Sequence, residues 1–379
     1  MLLAWQVSGN VVVCLQLVTP ITSMSRSFSP SLALCLAGLF LASLVPACAA
    51  GGAAEWLKKP AAWFATKEAQ TIASHILTYQ SEHGGWPKNT DTVKRPYQGK
   101  RKDLKPTFDN GATTDELRFL GRCHHATPNA SYLKAFQSGL DYILIAQYAN
   151  GGWPQYYPLS HQYHRYITFN DGSMVRVMEF LREVSRDPIY GFLSEAYREK
   201  AATAFDKGIA CILRCQIRID GKLTVWCAQH DEVTLQPRIA RSYELATLSG
   251  SESVGITRLL MSLDKPSAEV VHAVESAIAW FKYSAQRGIR IETISDPKAP
   301  GGKDKVVVKD PKAPLLWARF YDLKKQQPLF CDRDGIPKSS YSAIGHERRN
   351  GYAWYGNWAK SLIEKDYPIW KKEVSKARP

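Results

Sequence analysis

The stretch Asn150-Gly151-Gly152-Trp153-Pro154-Gln155-Tyr156-Tyr157-Pro158, closing in Tyr166-Ile167-Thr168-Phe169-Asn170-Asp171-Gly172, is one copy of a unit that this chain repeats. An earlier copy opens in Gly84-Gly85-Trp86-Pro87-Lys88-Asn89 and closes in Thr107-Phe108-Asp109-Asn110-Gly111. The two Gly-Gly-Trp-Pro tetrads lie 67 residues apart, and Asp109 and Asp171 lie 62 apart. A looser third copy opens in Asp220-Gly221-Lys222-Leu223-Thr224-Val225-Trp226 and closes in Arg238-Ile239-Ala240-Arg241-Ser242-Tyr243-Glu244. Self-similarity at such a period points to a repeated supersecondary unit.

Helical stripes flank each copy. Ala65, Ala69, Ile72, Ile76 and Tyr79 form one, and Gly84-Gly85 ends it as glycine does at helix C-termini. Thr113-x-x-Glu116 is a capping-box start for the next helix, with Leu117 and Leu120 inward. Further stripes run Tyr132, Phe136, Leu140, Ile143; then Met174, Val177, Leu181, Val184; then Leu193 through Ile212. Residues 242–263 read as a helix broken near Gly250, and Pro266-Ser267 starts another through Phe281. Residues 50–64 read as a loose arm. Ile289-Arg290-Ile291-Glu292 and Val306-Val307-Val308, bracketed by a repeated Asp-Pro-Lys-Ala-Pro, read as a short surface hairpin. From Leu315 to Trp370 the chain is aromatic-rich and irregular.

The pattern predicts a mainly α fold with long irregular loops and minor β-hairpins. Tandem helical hairpins stack into a solenoid or close into an α/α toroid, and equivalent loops then fall on one face. Asp109, Asp171 and Arg238/Arg241 precede the second helix of their copies, so they are expected to converge.

Before these repeats lies a leader. Residues 1–49 carry one charge, Arg26. Met24-Ser25-Arg26 leads into an apolar run from Leu32 to Leu41 and then Ala47-Cys48-Ala49, the parts of a signal peptide. Met24 reads as the start, residues 1–49 as upstream extension plus signal, and residues 50–379 as one catalytic domain. The apolar run is short for a membrane span. The protein is expected to be secreted or periplasmic and monomeric, without stable membrane insertion; lipidation of Cys48 would make it an outer-membrane lipoprotein. Loss of the leader lowers the net charge from +14 to +13. So basic an exported protein suits a polyanionic partner, acidic polysaccharide rather than nucleic acid. The densest basic run is Lys88 to Lys105. The mature cysteines, Cys123, Cys211, Cys215, Cys227 and Cys331, show no zinc spacing and read as core fillers.

Two aspartates at helix starts either cap their helices or hold a cation between them. Hard carboxylate oxygens without Cys or His favour Ca²⁺ over Mg²⁺ or Mn²⁺, and Asn110 and Asn170 add oxygen donors. Arg238, Arg241, Arg319, Arg333 and Arg348-Arg349 supply guanidinium forks, which bind carboxylates bidentately. Each alone could be a structural ion pair; Arg333, flanked by Asp332 and Asp334, is the plainest case. Trp86, Trp153 and Trp226 are either sugar platforms or core wedges, and their repeat equivalence favours wedges.

Several motifs together resemble the family-10 pectate lyases: Thr107-Phe108-Asp109-Asn110-Gly111-Ala112-Thr113, Asn150 to Gln155, Ile167-Thr168-Phe169-Asn170-Asp171-Gly172, Ala240-Arg241-Ser242-Tyr243-Glu244, and Glu347-Arg348-Arg349-Asn350-Gly351-Tyr352-Ala353-Trp354-Tyr355. They stand in order across roughly residues 60–360. The resemblance implies an (α/α)₃ toroid and Ca²⁺-dependent β-elimination of α-1,4-linked polygalacturonate. It implies Asp109 and Asp171 as metal ligands, Arg241 as catalytic base, and Arg319 and Arg333, with Asn110, as substrate-binding residues. The cysteines and the repeated Asp-Pro-Lys-Ala-Pro insertion depart from the family pattern. Two rival readings remain: a glycoside hydrolase on an α/α barrel with Asp109 and Asp171 as acid and base, and a non-catalytic acidic-polysaccharide-binding protein.

Overall fold

The structure is a computed structural model and describes residues 52–377. The signal segment, the Met24 start and Cys48 lie outside the described residues. Among those described, no helix is long and apolar enough to cross a membrane.

Eight helices build the body: α1 (Ala53–Trp56), α2 (Lys67–Thr78), α3 (Thr114–Ala126), α4 (Ala130–Ile145), α5 (Ser173–Arg186), α6 (Glu195–Cys215), α7 (Glu252–Met261) and α8 (Ala268–Ser284). Helices α2, α4, α6 and α8 pack in one row, and α3, α5 and α7 in another. Each hairpin is thus a helix from the first row, a tryptophan loop, and a helix from the second. The apolar stripes meet between the rows; Phe136, Leu140, Met174, Val177, Met178 and Leu181 are wholly buried there. The short helices α9 (His346–Gly351) and α10 (Tyr367–Ala377) follow.

Four tryptophans, not three, mark the repeat. Trp86, Trp153, Trp226 and Trp317 are each 0% exposed. Each indole Nε1 donates to a main-chain carbonyl of the preceding first-row helix: Ile76 (2.8 Å), Ile143 (2.8 Å), Ile212 (2.7 Å) and Phe281 (2.8 Å). They are core wedges, unavailable to sugar. Trp153→Ala should lower unfolding stability by about 4 kcal/mol in denaturant titration. A loss under about 1 kcal/mol would remove the wedge from its structural role.

A glutamine clamps each hairpin to the next. Gln80 Nε2 donates to Gly84 O and to Ala135 O, both at 2.8 Å. Gln147 does so to Gly151 O (3.0 Å) and Ala204 O (2.8 Å), and Gln216 to Thr224 O and Ala273 O, both at 2.9 Å. Gly151 (φ +92°) is required where it stands: a Cβ would lie 2.1 Å from Lys207 O on α6.

Main-chain hydrogen bonds lock the loops in register. Phe108 N donates to Gln155 O, Phe169 N to Ala228 O, and Gly250 N to Arg319 O. Every acceptor lies two residues past a repeat tryptophan. This register corrects the sequence alignment of the closings. Asp109 is equivalent to Asn170, Asn110 to Asp171, and the third equivalent of Asp171 is Glu252. Asn110 and Asp171 accordingly share the left-handed backbone (φ 55° and 51°). The third second-row helix is only α7, so Arg238 and Arg241 lie in a loop well before it; Glu252 opens it.

The arm before α2 is docked rather than loose. Ala53 and Phe64 are buried, and Trp56 stacks on Trp63 with centroids 5.2 Å apart. The surface hairpin is longer than its sequence pattern suggests, pairing Ile289–Ser295 with Lys303–Lys309. Its Asp304 receives both Arg349 (2.9 and 2.6 Å) and Asn350 (2.8 Å), so the insertion holds α9 in place.

Candidate active site

The closing turns Asp109–Gly111 and Asn170–Gly172 pack against each other, and α7 packs on the second of them. This brings Asp109, Asp171 and Glu252 to one end of the second-row helices. Neither aspartate caps a helix. Thr113 N donates to Glu116 Oε2 (2.9 Å) at the start of α3, and no side chain caps α5.

Asp109 is buried. Its Oδ2 accepts from Lys88 Nζ and from Gln155 Nε2 (2.8 Å), while Oδ1 has no partner among the described residues. Burial would lower the Lys88 ammonium, but the hydrogen bond and charge of Asp109 outweigh it and hold the group protonated more firmly than usual. Asp171 is half-exposed, and its Oδ1 accepts from Arg319 Nη2 (3.2 Å). The same Nη2 bonds Glu252, whose other oxygen accepts from Ser249. Lys88, Gln155 and Arg319 all stand two residues after a repeat tryptophan, so the repeat itself aims them at the acidic turns.

Beside the acids stands an arginine fan on two tyrosine rings. The Tyr352 ring has Arg319 at 5.0 Å and Arg241 at 5.8 Å. The Tyr243 ring has Arg348 at 4.5 Å, Arg241 at 5.0 Å and Arg333 at 5.6 Å. Cations over electron-rich faces are favourable contacts, and they pre-arrange four guanidinium groups. Arg241, Arg319 and Arg333 are therefore brought together, and Arg319 joins them to Asp171. Arg238 is held elsewhere, stacked on Tyr166 at 5.0 Å and donating to its hydroxyl at 2.9 Å. Arg333 does not pair with its neighbours, as its flanks suggested: it forks onto Glu347 (3.0 and 3.2 Å), while Asp332 and Asp334 hold Lys338. Arg348 and Arg333 together hold the Glu347 carboxyl down to about 2. Asn110, exposed, donates to Asn89 Oδ1 (3.3 Å) beside a cavity of about 490 Å³ that Lys88 also lines.

Arg241 forks onto Glu244, Nε to Oε2 at 2.7 Å and Nη2 to Oε1 at 2.5 Å. Those bonds, less the opposing effect of burial, raise the guanidinium further above its ordinary range. Burial alone would raise the Glu244 carboxyl; the Arg241 bonds and the Tyr352 hydroxyl (2.7 Å) bring it below its usual range instead.

Arg348, one of the sequence's guanidinium forks, completes the fan; Glu252, Glu244, Lys88, Gln155, Tyr243 and Tyr352 complete the set and were not singled out as site residues by sequence. The post-tryptophan offset could have flagged Lys88 and Gln155. Glu252 carries no local signal, since its copy has no Asn-Asp-Gly turn. Among the described residues no three His, Cys, Asp or Glu side chains cluster so as to hold a metal by themselves.

A mainly α hairpin-repeat protein with acidic turns beside an arginine fan is built to handle an anionic substrate. The sequence profile of the pectic acid lyases matches residues 80–363, and the chain belongs to that family. Two solved structures are similar to it. One is family 10 polysaccharide lyase from Cellvibrio cellulosa, with a TM-score of 0.71, 35% identity, and 84% of this chain and 96% of that chain covered. The other is a point mutant of family 10 polysaccharide lyase from the same organism in complex with trigalacturonic acid, with the same score and identity and 84% and 97% covered. Among proteins of curated function, none is similar enough to count as a match. The chain is a lyase of the pectate type.

Proposed function

We propose that this lyase cleaves polygalacturonate by calcium-assisted β-elimination, with Arg241 as the base. The observation that carries the reading is the Arg319 guanidinium, bonded to Asp171 and Glu252 and stacked on the Tyr352 ring that Arg241 shares. It ties the acidic turns to the arginine fan, the two halves that a uronate and its counter-ion require.

Elimination removes the C5 proton, α to the uronate carboxylate. The electron pair forms the C4–C5 double bond, the C4–O bond breaks, and the departing oxygen takes a proton from water. The obstacle is the weak acidity of C5–H. Arginines on the carboxylate stabilise the enolate-like charge that builds as the proton leaves. Arg319, Arg333 and Arg348, gathered on the Tyr352 and Tyr243 rings, would do this. The donor set also fits calcium: Asp109 Oδ1 is a buried carboxylate oxygen without a partner among the described residues, and Asp171 offers a half-exposed carboxylate in the adjoining turn. Calcium takes roughly 6–8 oxygens, so water and the substrate carboxylate would complete its shell. Bound there, it would supply Lewis-acid stabilisation of the uronate charge.

Arg241 works as a base only from its neutral form, and Glu244 opposes that form. Glu244→Gln should keep a hydrogen bond to Arg241 while removing the charge that raises its pKa. The limb of the kcat–pH profile on which activity rises with pH should then move to lower pH. An unmoved limb would take Arg241 out of the base role.

The product decides the reaction class. Incubated with polygalacturonate and calcium, the protein should release oligouronides with ultraviolet absorption from the new double bond. Saturated products would mean hydrolysis, and uncut polymer a binding protein.

A further inference from the structure

The basic run from Lys88 to Lys105 is only partly used by the site above. Lys88 bonds Asp109, and Arg101 turns inward to Gln80 O (2.5 Å) and Ser81 O (3.5 Å). Lys94 pairs with Asp91. Of the rest, Lys102 and Lys105 are both exposed, with no ion pair or side-chain hydrogen bond among the described residues. They line a cavity of about 470 Å³ together with His83, Tyr156, Tyr157 and His164. That volume falls within the roughly 300–1,000 Å³ typical of small-molecule sites. No carboxylate lines it.

The cavity adjoins the active groove. Tyr156, one of its walls, lies under Lys88 Nζ at 5.7 Å. His164, another wall, sits edge-on to Tyr156 at 5.1 Å and stacks on Tyr163 at 4.0 Å. Burial, with repulsion from Lys88 and Arg241, keeps the His164 imidazole below its ordinary pKa, so it faces the cavity as a neutral ring at neutral pH.

We infer that this cavity is a further uronate subsite, where Lys102 and Lys105 meet the carboxylate of a sugar flanking the cleaved bond and Tyr156 and Tyr157 meet its ring. The inference rests on the polygalacturonate reading. Two lysines facing one carboxylate-free cavity repel each other, and a bound anion relieves that repulsion. A polymer bearing one carboxylate per sugar carries such an anion past the catalytic groups on each neighbouring residue. The subsite would reward longer chains without touching the chemistry.

The test is the double variant Lys102→Ala/Lys105→Ala against galacturonate oligomers of increasing length. For the shortest oligomer cleaved, kcat/KM should stay at the wild-type value. For hexagalacturonate it should fall about tenfold, through KM rather than kcat, as the loss of two solvent-screened charge contacts allows. Lys102→Arg/Lys105→Arg should restore it. Calorimetry with hexagalacturonate in EDTA should show the same tenfold loss of affinity in the alanine variant and none in the arginine variant. Equal affinity and equal length dependence in all three proteins would overturn the subsite. If the wild type cleaves no polyuronate, the functional reading falls, and the calorimetric comparison still decides the subsite.

Discussion

Arg241→Ala should lose at least about a thousandfold in kcat on polygalacturonate while its affinity for the polymer stays within about threefold. The split follows from position. Arg319, Arg333 and Arg348 remain on the Tyr352 and Tyr243 rings and keep their hold on substrate carboxylates. What disappears is the group assigned to the C5 proton. The substitution also leaves Glu244, which is only 3% exposed, without its main partner, so some stability is lost as well. Arg241→Lys keeps a cation beside Glu244 and controls for this: it should fold and bind like the wild type and remain inactive. Turnover near wild type in either variant would place the base elsewhere.

Asp171→Ala should cut kcat by about a hundredfold and raise the calcium concentration for half-maximal activity at least about tenfold. Asp171 is the half-exposed carboxylate of the acidic turns; it accepts from Asn170 Nδ2 (2.8 Å) and Arg319 Nη2 (3.2 Å), and Arg319 keeps Glu252 when Asp171 is removed. If the aspartate served only to neutralise Arg319, activity would fall and the calcium titration would keep its midpoint. A shifted midpoint assigns it to the ion.

The helical hairpins were legible because their signals are local. Apolar stripes at helical spacing and the Thr113–Glu116 pair sit within a few residues of the structure they specify. The glycines do not stop the helices, which end at Thr78 and Ile145; Gly84 and Gly151 close separate turns after them. The fourth tryptophan was hidden by distance: the hairpin spanning Ile289–Ser295 and Lys303–Lys309 places Trp317 36 residues from its acceptor Phe281, against 10 for Trp86 and Trp153. The alignment of the closings misled for a different reason. Matching Asp109 to Asp171 pairs the like carboxylates but puts Thr107-Phe108 and Gly111 out of step with Thr168-Phe169 and Gly172; the backbone hydrogen bonds and φ angles repeat in the other register, with Asp109 opposite Asn170. One aspartate is therefore buried and the other half-exposed. Of the candidate site, Asp109, Asn110, Asp171, Arg241, Arg319 and Arg333 are the residues that the sequence and its family resemblance single out. Their partners could not. Arg333 finds Glu347 14 residues away, and Glu244 meets Tyr352 across 108 residues, pairings that only tertiary packing creates.

The most direct test of the account is a crystal structure of the Arg241→Ala variant with calcium and trigalacturonate. The account predicts an ion held by Asp109 and Asp171, with a uronate carboxylate shared between that ion and the arginines on Tyr243 and Tyr352. A trisaccharide seated away from those residues, or an ion bound without either aspartate, would contradict it.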